Sequence, residues 1–355
     1  MASMSKNLEH GYDEGLNLEI STFSSGVESN SRQHLPAELL RFPQDAAELQ
    51  AHVAETVGDP YRGGKAGGAQ VEWALIPGGG DSGRITVVSP GWGCDFKTPL
   101  AQRDWMASLA ADPERSLLVY NAPGVGASTP LNPDFARDLA RSGRFENLGR
   151  YLLQRLSEPL KDSNRIDFVG DSQGGRHAIG MVSQMQTLLA RSADELRLLD
   201  PIGSRDQGLL RLLYSFMIVE GGRSGKVSAA SADVDSQRLQ QELDSATGFV
   251  QKIRELIGPG GIGVLIAQIR ALCHGTLGAD LLLALPNVKG ALEITTPECS
   301  ALTDENAVQE TLRGLSYGKS TPEIRHRVLP GRVHSLHAAN PMVLGRLLSR
   351  APLLP

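Results

Sequence analysis

Two stretches of this sequence set a serine between glycines in the pattern Gly-x-Ser-x-Gly: Gly170-Asp171-Ser172-Gln173-Gly174 and Gly314-Leu315-Ser316-Tyr317-Gly318. A serine hydroxyl becomes a nucleophile when a base removes its proton and donors await the oxyanion that its attack creates. With 39 glycines in 355 residues, either match taken alone carries little. Their settings separate them. Ser172 follows Ile166, Phe168 and Val169 and precedes a helix-like stretch, the strand–turn–helix setting that presents a nucleophile. The flanking glycines let strand and helix approach closely, and the new helix aims its first N–H groups at a developing oxyanion. Ser316 follows a helical stretch and leads through a polar loop to Pro322, so it is read as structural.

Three further segments fit the same chemistry. Val88-Ser89-Pro90-Gly91-Trp92-Gly93 ends an apolar run in a glycine-rich turn, where a backbone N–H can serve as a second oxyanion donor. Tyr120 to Ser128 contains Gly124-Val125-Gly126, but it lacks a third glycine and any Gly-Lys-Ser/Thr, so it is not a phosphate loop. Leu329-Pro330-Gly331-Arg332-Val333-His334 places a histidine just beyond the last β-rich run and downstream of the serine, the position of a general base. His177 reads as a packed residue of the helix after Ser172. His337 and Asp171 lie near the candidate site by sequence proximity alone.

The elements that must position these residues follow a rhythm. Short β-rich runs at Val71–Ile76, Ile85–Val88, Leu117–Tyr120, Ile166–Val169, Leu196–Leu199, Leu292–Ile294 and Arg327–Leu329 alternate with helical stretches such as Pro99–Ala110, Asn147–Leu156 and His177–Leu189. Alternation of this kind predicts an α/β fold with a mostly parallel, doubly wound sheet. The rhythm fails between Pro201 and Pro286, where Leu209–Ile218, Ser236–Ile257 and Val264–Ala271 read as helices. An insertion there is expected to sit as a helical cap over the strand ends, where ligands bind in such sheets. The organisation expected is a polar extension over 1–65, with helix-like spacing between Pro36 and Gly58; a core over 66–201 and 287–355; and a cap over 202–286.

The motifs in this order resemble those of the α/β-hydrolase fold over roughly residues 70 to 350. Pro90-Gly91-Trp92-Gly93 resembles the His-Gly-x-x oxyanion turn, with proline in the histidine place. Asn121 to Ser128 resembles Asp-x-Pro-Gly-x-Gly-x-Ser, with asparagine in the aspartate place. Gly170 to Gly174 resembles the nucleophile elbow, and Gly331 to His334 the Gly-x-x-His turn. The resemblance implies Ser172 as nucleophile, His334 as base, and the backbones of Trp92 and Gln173 as oxyanion donors.

It also implies an acid for the histidine, usually in the loop after the strand read here as Leu292–Ile294. That loop runs Pro297-Glu298-Cys299-Ser300-Ala301-Leu302-Thr303, and the gapless match puts Ser300 where aspartate is expected. Glu298 in the same loop is the first choice for the acid. Asp200, at the end of the preceding strand, Asp304, beside the Thr303 helix cap, and no carboxylate at all are the alternatives.

Composition narrows the partners. Hydrophobic residues make up 41% and charged residues 21%, the balance of an ordinary globular chain. Net charge is −5 with no long basic block, which argues against nucleic acid. No uncharged apolar run reaches the roughly 18 residues of a membrane span, and the N-terminus lacks the apolar core of a secretory signal. Three widely spaced cysteines, Cys94, Cys273 and Cys299, fit reduced thiols in a cytoplasmic protein. No metal or nucleotide motif is present, so no cofactor is expected. The resulting expectation is a serine hydrolase or acyltransferase acting on an ester, thioester or lactone with an apolar portion. The alternative is a non-hydrolytic protein of the same fold that binds a ligand or steers a rearrangement. The sequence leaves the oligomeric state open.

Overall fold

Runs of four to ten residues pair into one nine-stranded sheet. In chain order the strands are β1 (Leu16–Ser24), β2 (Val27–Leu35), β3 (Trp73–Ile76), β4 (Arg84–Ser89), β5 (Arg115–Tyr120), β6 (Arg165–Asp171), β7 (Ala193–Leu199), β8 (Val288–Pro297) and β9 (Glu323–Leu329). They lie in the order β2-β1-β9-β8-β7-β6-β4-β5-β3. This computed structural model describes residues 16–24, 27–35, 71–76, 83–96, 115–220, 261–317, 322–330, 332 and 334. The expected helices Pro99–Ala110 and Ser236–Ile257, and the helix-like spacing at Pro36–Gly58, lie outside these residues.

The six strands from β5 to β9 in that order pair in parallel. β3 runs antiparallel along β5, and the β1–β2 hairpin runs antiparallel along β9. The doubly wound, mostly parallel sheet is therefore as the alternation predicts. The N-terminal segment corrects the expected organisation: residues 16–24 and 27–35 are strands of the same sheet rather than an appendage. Phe23, 1% exposed, anchors this hairpin in the core.

Val87, Leu118, Phe168, Leu196, Leu198, Leu292 and Ile294 are fully buried along the central strands. The alternate positions on one face of β6 to β9 carry charges instead. Asp167, Glu195, Arg197, Glu293 and Arg327 are all buried, and they pair as Arg84–Asp167 (2.6 Å), Arg197–Glu195 and Arg327–Glu293 (3.0 Å). Buried charges persist only when paired in this way.

Of the helices α1 (Pro133–Ser142), α2 (Glu146–Leu160) and α3 (Gln173–Leu189), α3 packs on the sheet around β6, α2 packs on α3, and α1 packs on the later helix Gly261–Leu272. α1 starts with the Asn132 side chain accepting the Asp134 N–H and Pro133 at its first position, and it ends at Gly143 in the left-handed region. α2 buries Leu148, Leu152, Leu153, Leu156 and Leu160, the three-to-four spacing of a single apolar face. Between β7 and β8 the chain forms α4 (Leu209–Tyr214), which continues into a π-helical turn (Ser215–Glu220), then α5 (Gly261–Leu272) and α6 (Leu277–Ala284). α7 (Glu305–Ser316) joins β8 to β9. Ser316, the serine of the second Gly-x-Ser-x-Gly match, ends α7 with its hydroxyl bonded to Arg313 O.

Candidate active site

β4 lies between β5 and β6, so the chain leaves β4 toward one sheet edge and returns at β6 toward the other. A crevice opens outside the carboxyl ends of strands at such a reversal. The Gly91 turn after β4 and Ser172 after β6 meet there, since a Cβ placed on Gly91 would lie 3.7 Å from the Cβ of Ser172.

Ser172 stands between β6 and α3 with φ 55° and ψ −118°. Its N–H donates to Leu199 O (2.8 Å), and its carbonyl accepts from Gly175 N (3.1 Å). The neighbouring glycines are required by space. A Cβ on Gly170 would fall 2.6 Å from Gly174 O, and one on Gly174 would fall 2.0 Å from Ser89 O. A non-glycine residue held in such a conformation costs about 1–3 kcal/mol. Among the described residues only Ser172, Ala190 and Asp200 carry positive φ without being glycine. Ala190 merely ends α3. The other two belong to the site.

Asp200, fully buried with φ 42°, follows β7 and is fixed by its N–H to Thr295 O (2.7 Å). His334 is 1% exposed, and its Nδ1 lies 2.5 Å from Asp200 Oδ2. The same Oδ2 accepts the Ser300 hydroxyl at 2.6 Å, and Ser300 Oγ in turn accepts from Leu302 N and Thr303 N. Burial opposes charging of the His334 ring, but the hydrogen bond and charge of Asp200, with the charges of Asp171 and Glu220, raise its pKa above the ordinary value.

Glu298, the carboxylate expected at the histidine, does not reach it. Its backbone N–H donates to Leu329 O, its side chain is exposed, and its charge acts on Glu305. Direction explains the correction: at the end of the buried strand β8, Glu298 points outward, whereas Ser300 turns in. Asp304 is the N-cap of α7, accepting from Ala307 N and pairing with Arg205 (2.5 Å). Asp171 is buried behind the Gly91 turn, where a Cβ on Gly91 would approach its Oδ2 to 3.1 Å. His337 lies outside the described residues.

The inserted helices complete the surroundings. Phe216, in the π turn, stacks edgewise on Trp92 (5.6 Å) and on the His334 ring (6.4 Å). Among the described residues no hydrogen bond joins Ser172 Oγ to His334. Trp92, Ser172, Ile202, Leu212, Leu213, Phe216, Ile269, Leu272 and Leu302 line a cavity of about 30 Å³. Every one of these except Ser172 presents an apolar side chain or an aromatic ring.

Beneath the elbow, Gln268 of α5 accepts from the Gln173 side chain and from His177 Nε2 (3.0 Å), and Tyr120 OH bonds Ser89 Oγ (2.9 Å). Burial drops the His177 pKa to about 4, so its ring is neutral and structural. Arg176, fully buried on α3, reaches Asp280 Oδ2 (2.5 Å) and Thr276 Oγ1 (2.5 Å) and so ties α6 to the elbow helix. Among the described residues no three of His, Cys, Asp and Glu are grouped to hold a metal ion, and no single helix is long and apolar enough to cross a membrane.

No family model and no curated protein matches this sequence. Solved structures do match it. The chain is similar to MGS-M2, an alpha/beta hydrolase enzyme from a Medee basin deep-sea metagenome library, with 13% identity and a TM-score of 0.53 over 80% of this chain and 94% of that one. It is also similar to an esterase from Exiguobacterium antarcticum, with 13% identity and a TM-score of 0.51 over 79% of this chain and 94% of that one. The chain has the α/β-hydrolase fold.

Two departures from the α/β-hydrolase motifs then gain physical reasons. Ser300 stands where the motif has its acid, and it donates to a carboxylate supplied by the preceding strand. Asn121 replaces the motif's aspartate because its amide donates to two buried carboxylates, Glu72 Oε2 (2.7 Å) and Asp95 Oδ1 (2.9 Å), while its Oδ1 accepts from Phe96 N (2.9 Å). An aspartate would lack both donors. The site residues that sequence reasoning missed are Ser300 as a hydrogen-bond donor, Phe216, Glu220 and Gln268. The gapless match had placed Ser300 at the right position. Nothing in the sequence distinguished the other three from ordinary helix residues.

Proposed function

We propose that the protein is a serine hydrolase that cleaves carboxylic esters with a short apolar acyl group through an acyl-serine intermediate. His334 removes the proton of Ser172 Oγ, and Ser172 attacks the carbonyl carbon. The backbone N–H groups of Gln173 and Trp92 hold the oxyanion. His334, protonated and stabilised by Asp200, then gives its proton to the departing alkoxide. Water, deprotonated by His334, attacks the acyl-serine, and the acid leaves as Ser172 recovers its proton. The inserted helices act as a cap, and the apolar cavity receives the acyl chain. The observation that carries this reading is a strained serine, Ser172, that lines one cavity with Phe216, which packs on a buried histidine bonding Asp200 through Nδ1. The solved hydrolases of this fold support it at the level of fold.

The absence of a Ser172–His334 hydrogen bond is compatible with catalysis, since such bonds often tighten only when substrate binds. The same absence, with Phe216 packed on the His334 ring, favours a second reading in which the pocket binds a ligand without acyl transfer. A fluorophosphonate probe together with p-nitrophenyl esters from acetate to octanoate separates the two. Labelling of the folded protein at Ser172, with the shortest esters turned over fastest, is expected. A folded protein that neither labels nor turns over any ester would establish the ligand-binding reading.

A further inference from the structure

The two loops that meet at Asp200 are both held from above by one side chain of the inserted helices. Glu220 ends the π-helical turn and is 1% exposed. One carboxylate oxygen accepts the N–H of Ala301, the residue after Ser300. The other accepts the N–H of His334 itself at 3.2 Å. Ser300 and His334 then both donate to Asp200 Oδ2, at 2.6 Å and 2.5 Å. A closed circuit results, running from Glu220 through Ala301 and Ser300 to Asp200 and back through His334 to Glu220.

A π turn is rare and tends to occur where a helix serves a site. Here it delivers two residues four apart, Phe216 to the ring of His334 and Glu220 to its backbone. A carboxylate was needed for the second task. It offers two acceptor oxygens to two N–H groups, while an amide offers one oxygen and sets its NH₂ against the other N–H. Burying a carboxylate is costly unless it is hydrogen-bonded, so the placement of Glu220 implies that both bonds are required.

Resting on the serine-hydrolase reading, we propose that Glu220 is a positioning residue of the cap, whose carboxylate sets the His334 turn and the Ser300–Ala301 loop so that base and acid stay in register. Glu220 does not contact substrate. It acts through His334 and Asp200, and its position makes the competence of the acid–base pair depend on the seating of the π turn. The charges facing His334 are Asp200 from the β7 end, Asp171 from the elbow and Glu220 from the cap. Removing the last therefore lowers the pH at which the ring loses its proton, in the same direction as losing the Asp200 contact would, so the charge-keeping Glu220→Asp variant and thermal melting separate the two.

The test is Glu220→Gln, with Glu220→Asp as a second variant that keeps the charge but shortens the reach. Fluorophosphonate labelling rates and the His334 imidazole titration by ¹H–¹⁵N NMR are followed in each, alongside thermal melting. Glu220→Gln is expected to label roughly tenfold more slowly, with the His334 midpoint moved to lower pH. Glu220→Asp is expected to label slowly with the midpoint near that of wild type. In ester hydrolysis the loss should fall on kcat, with KM changed less than twofold. Unchanged labelling and midpoint in a folded Glu220→Gln would overturn the inference, and failure of both variants to fold would assign Glu220 a purely structural task. Wild-type protein that titrates at His334 but does not label would instead remove the hydrolase reading beneath it.

Discussion

Asp200 Oδ2 accepts the Ser300 hydroxyl and the His334 ring together, at 2.6 Å and 2.5 Å, so a residue on the loop after β8 supports a carboxylate supplied from β7. The carboxylate that meets His334 thus comes from the β7 end, and a serine stands where the motif has its acid. Asp200→Asn should lower kcat/KM by about three to four orders of magnitude, as expected when the group that fixes the histidine tautomer is lost. Glu298→Gln should change it less than twofold. Adding Ser300→Asp to Asp200→Asn should restore at least tenfold, because a carboxylate at position 300 reaches the same spot. Steady-state kinetics on one short ester checks all three.

Ser172 holds its strained turn whether or not it reacts. Ser172→Ala should abolish fluorophosphonate labelling and leave stability close to wild type, because alanine suffers the same strain. Ser172→Gly should also abolish labelling but raise the unfolding free energy by about 1 kcal/mol, since glycine adopts positive φ freely. Urea melts of the two variants side by side would reveal the difference, and equal stability would show that the turn stores no strain.

The raised His334 pKa carries two opposite signs. The base works only when neutral, so activity should rise with pH through a midpoint above the ordinary value of 6.5. The folded state binds this proton more tightly than the unfolded chain does. The stability it contributes is therefore complete below about pH 6.5 and is lost as pH climbs through the folded pKa. Asp200→Asn should pull both transitions downward. A pH–rate profile and denaturant melts across the same range measure them independently.

Asn121 offers a test of the second departure from the family motif. Asn121→Asp would restore the motif's residue, yet it would remove both donors and set a third carboxylate beside Glu72 and Asp95. A loss of about 3 kcal/mol or more at neutral pH is expected, on the scale of uncompensated buried charge. Thermal melting checks it. A variant as stable as wild type would mean that the two acids do not depend on the amide.

Much of this arrangement was legible in the sequence. The elbow around Ser172, the turn at Trp92 and the histidine beyond the last strand all came from short motifs whose glycines have a steric purpose, and the sheet came from alternating apolar runs. What escaped notice has a common physical origin. The β-rich runs start too late because Arg165, Glu195 and Arg325 look like loop residues, whereas they belong to strands with paired charges on one face. The N-terminal strands were missed although Leu16, Leu18 and Ile20 alternate with Asn17 and Glu19 before Ser24-Ser25-Gly26, a hairpin signal outweighed by the polar surroundings. The choice between Glu298 and Asp200 at the histidine was not legible, because sequence order says which loop a carboxylate occupies, while burial decides which way it points. Glu298 is exposed and Asp200 is fully buried.

The β1–β2 hairpin has a meaning for how this molecule meets its own copies. β9 would be the open border of a parallel sheet, with a row of backbone donors and acceptors able to recruit any passing strand. The chain supplies that strand itself. It then presents Glu28, Ser29, Asn30 and Ser31 on the new border, all exposed, with Glu28 fastened to Arg313 at 2.7 Å. Residues 16–24 and 27–35 thus act as a selvedge on the fabric of the sheet. A chain trimmed to begin at residue 66 would keep every residue proposed for chemistry, yet it would be expected to precipitate, because its unbound edge would knit to the next molecule.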